Sequence, residues 1–287
     1  MFGRNDLQAR FDEALAAEFA AQPLGAAAVL AEHDLPGLPA PVQRFVRASG
    51  AVGRPRPQNV RVEFDAQMWR KPGQAPMEST SVQYNFFGRP ARLFLMQARM
   101  FGLPVRALHL YRHEQATFQV RAASLLNMVN QRGEQISAAE TVTVLNDLCV
   151  MVPGALVDTR LSWRPIDDHR AAVTFSNGPH TVTATLVFNE DDELVDFVSD
   201  DRPDSSSGTF IPRRWNTPIS GYQEIDGLRL PTRGSAVYAY PDGPFTYGAF
   251  KFRSISYDLA APAPQRIPPD QRFAGDVVIG AVPRLRT

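Results

Sequence analysis

Two hydrophobic periods divide the chain. Over residues 5 to 22, Leu7, Phe11, Leu15 and Phe19 recur every fourth position behind Asn5-Asp6, the pattern of a capped amphipathic helix. Such a stripe ordinarily packs onto the main body of a protein, the alternative being a partner-binding face. A second helix is predicted from Pro41 to Ser49, with Pro41 in its first turn, Val42, Phe45 and Val46 as its apolar side and Gly50 placed to end it. Arg44 and Arg47 then face outward. From residue 59 the period becomes two: Val60, Val62, Phe64, Ala66 and Met68 alternate with Arg61, Glu63, Asp65, Gln67 and Trp69, which predicts a half-buried antiparallel strand. Strand-like runs follow at 79–87, 91–101, 104–112 and 115–122, separated by breaks such as Gly88-Arg89-Pro90 and Gly102-Leu103-Pro104.

One helix interrupts the strands. Ser137 and Glu140 form a Ser-x-x-Glu capping box, Val142, Leu145, Cys149 and Val152 recur at helical spacing, and Pro153-Gly154 is a stop, so the helix is predicted over 137–152. Glu140, Thr143 and Asp147 lie three and four apart and share a polar face. Strands resume near Leu161, and Asn177-Gly178 marks a hairpin because both residues tolerate the positive φ of a tight turn. Further runs at 194–199, 219–225, 228–240 and 246–257 are punctuated by Asp191-Asp192, Asp226-Gly227 and Asp242-Gly243. In the last run Phe250 and Phe252 fall on one face and Ile255 and Tyr257 on the other, which predicts a bulge near Arg253.

The pattern sums to an α+β fold: a large, strongly curved antiparallel β-sheet (a half-barrel) of about ten strands, with helices on the concave side. The expected divisions are an N-terminal helical segment (1–36), the sheet domain (37–260) and an extended, proline-rich tail (261–287). In that tail only Val277-Val278-Ile279 could dock on a sheet edge.

Composition narrows the function more by exclusion than by indication. The 287 residues are 44% hydrophobic, and 30 basic residues balance 30 acidic ones, so no electrostatic case exists for nucleic acid or an anionic membrane. Cys149 is the only cysteine, which excludes an intrachain disulfide and suits a reducing compartment. Charges at Arg4, Asp6, Arg10, Asp12, Glu13 and Glu18 interrupt any signal-peptide core, and no apolar run is long enough to span a membrane. A cytoplasmic location is therefore expected.

Phosphate-loop, dinucleotide-binding, zinc-protease and nucleophile-elbow motifs are all missing from the sequence. His109 and His113 share a strand face but sit roughly 13 Å apart along it, too far for one metal, so each is read as a surface or structural residue. Cys149 lies on an apolar stripe and reads as a buried hydrophobe. Neither metal nor cofactor is expected.

Two sets of candidates remain. Ser199-Asp200-Asp201-Arg202 ends a strand on adjacent carboxylates; one of them, with Arg202 or Arg214 and near Glu140 or Asp147, could serve as a general base or a polar anchor. The ordinary alternative is a turn carboxylate making surface ion pairs. The second set is an apolar wall: Phe94, Met96, Ala98 and Met100 on one strand face, with Met68, Leu125, Met128 and Met151 elsewhere, methionine being well suited to adaptable apolar sites. Asn146 of the helix and the indoles of Trp163 and Trp215 complete the ligand-binding candidates, although tryptophan is more often a core aromatic.

In order along the chain, Leu38-Pro-Ala-Pro-Val-Gln-Arg-Phe45, Leu145-Asn-Asp-Leu-Cys149, Pro153, Trp163-Arg-Pro-Ile-Asp167, Ser199-Asp-Asp-Arg202, Arg214-Trp215 and Pro231-Thr-Arg-Gly234 resemble the bacterial domain of unknown function 6544, over roughly residues 38 to 258. That resemblance implies no activity and no catalytic residue. The long meander with a helical insertion is also similar to the half-barrels of lipoprotein carriers, which hold acyl chains or small aromatic molecules against helices. The expectation is a soluble protein that binds an apolar or amphipathic small molecule or lipid in the sheet's concavity. Its alternative is a cofactor-independent enzyme using Asp200 or Asp201, Arg202 and the helix carboxylates in the same cavity. An interaction module would instead leave the Leu7/Phe11/Leu15/Phe19 stripe exposed. Nothing in the sequence sets the oligomeric state.

Overall fold

The computed structural model describes residues 6–100, 102–123 and 126–263. Asn5, Leu125 and the tail from residue 264, with Val277–Ile279, lie outside the described residues.

After α1 (Leu7–Ala21) and α2 (Ala40–Ala48), six strands run as an antiparallel meander: β1 (Asn59–Met68), β2 (Met77–Phe86), β3 (Ala91–Met100), β4 (Leu103–Arg112), β5 (Gln115–Ala122) and β6 (Leu126–Arg132). Helix α3 (Glu134–Met151) follows, and then a second meander of β7 (Leu161–Asp167), β8 (Arg170–Asn177), β9 (His180–Phe188) and β10 (Leu194–Ser199). Four short strands, β11 (Trp215–Asn216), β12 (Ile219–Ser220), β13 (Gln223–Ile225) and β14 (Leu228–Leu230), lead into β15 (Arg233–Tyr240) and β16 (Gly243–Tyr257). Pairing of β16 with β1 joins both halves into one 14-stranded sheet in the order β6-β5-β4-β3-β2-β1-β16-β15-β11-β10-β9-β8-β7, with β12 beside β15 and β13-β14 a separate ribbon. The strand number exceeds the expected ten because residues 215–230 break into two- and three-residue strands and because β6, whose apolar and polar residues do not alternate, forms an edge.

Each strand of the first meander has two useful faces. On β2, β3 and β4 one face carries Val82, Tyr84, Phe86, Leu93, Leu95 and Leu108, and it is covered by α1 through Leu7, Phe11, Leu15 and Phe19. Phe19 packs edge-on against Tyr84 and Phe86 at 5.9 and 5.1 Å. All four stripe residues are at most 8% exposed, so α1 is part of the fold and offers no docking face. The expectation that the helices gather on one concave side is thereby corrected: α1 lies on the opposite face from α3, because the apolar outward positions of β2–β4 call for a cover there.

The other face encloses α3. Fifteen of its eighteen residues are buried, polar and apolar alike, which requires protein on every side of the helix. It packs on β4, β5 and β6 near one end of the strand order and on β9 and β10 near the other. Nine strand-to-strand steps separate β4 from β8, a span of roughly 43 Å in a flat sheet. Yet Asn177 Nδ2 of β8 donates to Tyr111 Oη of β4 at 2.8 Å. The sheet therefore curls around α3, with β6 and β7 left as edges rather than zipped together. At the meeting point the β8–β9 turn touches the β4–β5 turn: His180 Nε2 lies 3.0 Å from the Glu114 carbonyl, and a Cβ on Gly178 would come within 2.6 Å of Glu114 Cγ.

Three local expectations shift or hold in detail. Asn177 pairs with His180 inside the ladder, so the positive φ belongs to Gly178 (+57°) and the turn is Gly178-Pro179. Helix α3 starts at Glu134 behind Gly133, and Ser137 is no cap: its Oγ donates to the Gly133 carbonyl at 2.8 Å and accepts from Ala116 N of β5 at 2.9 Å. Glu140 is thus released from a capping box and turns inward. The bulge falls where expected, since the register of β1 against β16 skips Arg253, and it returns Ile255 to the same core as Phe252. Among the described residues no helix is long and apolar enough to cross a membrane.

Candidate functional site

A chamber of about 680 Å³ separates α3 from the strands that curl around it. Period-two alternation delivers its walls: Gln83 from β2, Arg92, Phe94, Met96 and Met100 from β3, and Ala107 and His109 from β4. Phe64 and Met68 of β1, Tyr238 of β15, and Tyr247, Phe250 and Phe252 of β16 form the facing side. Helix α3 contributes Glu140, Thr143, Asn146, Asp147, Val150 and Met151. Six of the chain's seven methionines, Met68, Met77, Met96, Met100, Met128 and Met151, line this one space. Exposed Arg70, Lys71, Met128 and Ser206 mark its opening.

Beside the methionines, on the same strands and the same helix, is a buried polar wall. Asp147 Oδ2 accepts from Arg92 Nε at 2.7 Å, Gln83 Nε2 at 2.7 Å and Asn85 Nδ2 at 3.0 Å. Arg92 also donates to Gln83 Oε1 at 2.9 Å, and its Nη1 lies 3.1 Å from His109 Nδ1. A guanidinium can only donate, so Nδ1 is the acceptor and the imidazole proton sits on Nε2. That Nε2 is 3.2 Å from Glu140 Oε2, but out of line for a hydrogen bond, and both atoms are buried without one. Glu140 Oε1 instead accepts from Arg202 Nη2 at 3.0 Å. Arg202 further donates to Thr143 Oγ1 at 2.9 Å and to the Tyr238 hydroxyl, and stacks 4.7 Å over the Trp215 ring. Trp215 Nε1 donates to Tyr247 Oη at 3.0 Å, and Asn146 Nδ2 to Thr217 Oγ1 at 2.6 Å.

Burial governs the protonation of this wall. It pulls His109 down to about 4, against the nearby Glu140 carboxylate and aided by Arg92 and Arg202, so the imidazole is neutral at neutral pH. Glu140 experiences the same burial, which by itself raises a carboxyl, but His109, Arg202 and Arg92 outweigh it and hold the group below its ordinary value. With the imidazole neutral, we attribute that hold to the two guanidiniums. For Asp147 the balance is reversed: burial raises it in spite of Arg92 and Asn85. Burial also pushes the Cys149 thiol far up, which removes it as a nucleophile. Among the described residues no three His, Cys, Asp or Glu side chains converge as metal ligands would.

The sequence candidates divide accordingly. Glu140, Asp147, Arg202, Asn146, Phe94, Met96, Met100 and Trp215 all line the chamber. Asp200 and Asp201 do not, and the expected carboxylate constellation is corrected on that point. Strand β10 stops at Ser199; Asp200 then turns out to an exposed pair with Arg214 at 3.0 Å, while Asp201 Oδ2 accepts from Thr183 N and Oγ1, each at 2.7 Å, on the rim of β9. Only Arg202 folds back inside. Trp163 is likewise no chamber residue: it lies on edge strand β7 and donates to the Leu156 carbonyl at 3.3 Å, packed against the core. Sequence reading missed His109, Arg92 and Gln83 as site residues. A signal existed in β2, where polar Ser79, Ser81, Gln83 and Asn85 alternate with Val82, Tyr84 and Phe86; that polar face is buried, and its Gln83 and Asn85 meet Asp147 of α3 and not water.

The model of a family of unknown function, DUF6544, matches residues 28–250, and the chain belongs to that family. No curated protein matches it. Among solved structures it is similar to a domain described as an outer membrane lipoprotein-sorting protein from Vibrio parahaemolyticus, at 6% identity and a TM-score of 0.40, over 69% of this chain and 85% of that one. It is also similar to a LolA superfamily protein from Nitrosomonas europaea, at 11% identity and a TM-score of 0.39, over 75% of this chain and 92% of the other.

Proposed function

We propose that this DUF6544 member binds an apolar or amphipathic small molecule, lipids included, in the chamber between α3 and the curled sheet. One observation carries the reading: six methionines, contributed by β1, β2, β3, β6 and α3, converge on one open space that also carries a hydrogen-bonded polar network. Cores are packed to near crystal density and leave few voids larger than a water. A space of about 680 Å³ falls within the size range of ligand sites, apolar in the main with a few fixed polar groups. Unbranched, polarizable methionine side chains suit a flexible apolar guest.

The test is titration with a neutral fluorescent probe, N-phenyl-1-naphthylamine, on the wild-type protein and on Ala107→Phe. Ala107 is a buried wall residue, and a benzyl group there occupies the chamber. Wild type is expected to bind the probe and the variant to lose roughly tenfold or more in affinity, the loss of about 1.4 kcal/mol. No probe binding by wild type, with no small molecule released on denaturation in mass spectrometry, sinks the reading.

A second reading is favoured by the polar wall. A neutral imidazole 3.2 Å from a carboxylate, next to Asp147, Arg92 and Arg202, is the material of cofactor-independent acid–base catalysis. It makes the bound compound a substrate. Recovery of that compound chemically unchanged after prolonged incubation counts against it.

A further inference from the structure

The polar wall also restricts what kind of head group the guest carries. Resting on the chamber as an apolar-ligand site, we propose that its occupant is a neutral amphiphile whose head donates a hydrogen bond to Asp147, as a long-chain alcohol or hydroxylated lipid does. Asp147 is 8% exposed and lines the chamber. Three donors converge on its Oδ2, and among the described residues no group donates to Oδ1. Oδ1 is also not among the side-chain atoms sealed off from solvent without a partner, which leaves it turned to the open space. Asn146 beside it spends one end of its amide on Thr217 and has the other to offer.

The donors of the wall, by contrast, are committed. Every nitrogen of Arg92 is engaged, by Asp147, His109 and Gln83, and every nitrogen of Arg202, by Thr143, Tyr238 and Glu140. The two guanidiniums are balanced by the carboxylates of Glu140 and Asp147, and burial keeps His109 neutral. An anionic head placed at Asp147 would therefore meet a free carboxylate oxygen, beside guanidiniums already paired with Asp147 and Glu140. The other cations that line the chamber, Arg70, Lys71 and Arg233, are exposed to solvent. An anion seated there would leave its tail inside and its head outside, which is the competing arrangement.

Three ligands of equal chain length separate these cases: 1-dodecanol, its methyl ether and dodecanoate, each competing with N-phenyl-1-naphthylamine at pH 8. The alcohol can donate; the ether can only accept. Wild type is expected to bind the alcohol at least about tenfold more tightly than the ether or the carboxylate, as leaving a buried acceptor without its donor implies. In Asp147→Asn the amide oxygen is required by Arg92, Gln83 and Asn85, so the amide nitrogen faces the chamber. The ether then gains a donor and the gap between ether and alcohol closes. Thermal melting of the variant checks that it folds, and the wild-type ranking stands without it. Equal binding of alcohol and ether by wild type overturns the proposal. So does tightest binding of dodecanoate, and its loss in an Arg70→Ala/Lys71→Ala/Arg233→Ala variant would locate the head at those exposed cations. Probe binding with displacement by none of the three refutes the proposed head and tail while leaving the chamber a binding site; absence of probe binding defeats the underlying reading instead.

Discussion

Replacing His109 by glutamine turns the neutral imidazole into a measurable quantity. A glutamine side chain there would keep a carbonyl for Arg92 and an N–H toward Glu140 but would not titrate. In the folded chain burial holds the imidazole at about 4, whereas in the unfolded chain it titrates near 6.5. Between those values the unfolded chain binds the proton that the native one refuses. Stability due to this group is therefore complete above about pH 6.5, falls as pH is lowered, and levels off below about pH 4. A difference of about 2.5 pH units corresponds to about 3 kcal/mol; with 9% of the residue exposed, solvent screening takes little from that figure. The assay is urea denaturation of wild type and His109→Gln at steps from pH 4 to 7.5. Subtracting the two curves cancels Asp147 and Asp196, which both proteins share. The difference is expected to move against wild type by about 3 kcal/mol on going from pH 6.5 to 4. Parallel curves would mean that the imidazole titrates as it does in water. A difference that moves in favour of wild type would refute the reasoning, because it would show His109 and Glu140 forming a true ion pair at the 3.2 Å separation.

Two further predictions concern sites away from the chamber. Asp196 of β10 is raised to about 6 by burial, against the hydrogen bond from Asn216, so its contribution to stability is favourable at low pH and is lost as pH rises from 3.8 through 6. Asp196→Asn should gain up to about 3 kcal/mol at pH 7 and nothing at pH 4 in urea denaturation, and a variant no more stable than wild type at pH 7 would contradict this. Gly178→Ala combines a positive φ with a Cβ 2.6 Å from Glu114 Cγ and should cost more than about 1 kcal/mol. Adding Glu114→Ala, which removes Cγ and keeps Cβ, should return only the steric part, and unchanged melting of the single variant would disprove the close approach of the two turns.

Local chemistry was legible in the sequence where a residue's neighbours along the chain decide its fate. The stripe from Leu7 to Phe19, the shared face of Glu140, Thr143 and Asp147, and the bulge at Arg253 all follow from spacing within one element. The position of Asp200 and Asp201 does not, because it depends on β10 ending at Ser199 and on Arg214 and Thr183 standing opposite. The polar residues of β2 mislead for a related reason: a polar strand face usually meets water, and only the curl of the sheet around α3 puts Gln83 and Asn85 beside Asp147. His109 shows the same limit. Its own strand gives no sign of Glu140 or Arg92, which reach it from α3 and from across the β3–β4 ladder. Alternation thus identified the elements and the methionine wall, while the partners of each buried charge came from contacts far apart in sequence.

The seam between β1 and β16 has a consequence for how the chain becomes able to bind. Each meander is local, built from neighbouring strands, whereas the seam joins Asn59 to Leu259, 200 residues away. Closing so long a loop is entropically late and slow compared with forming hairpins. Neither half alone can surround α3, so its buried carboxylates lose their water only when the seam forms. Binding competence and global cooperativity are then one event: a chain arrested before the seam closes presents methionines and an unpaired helix to solvent, where chaperones and proteases act, and it has no partly working form.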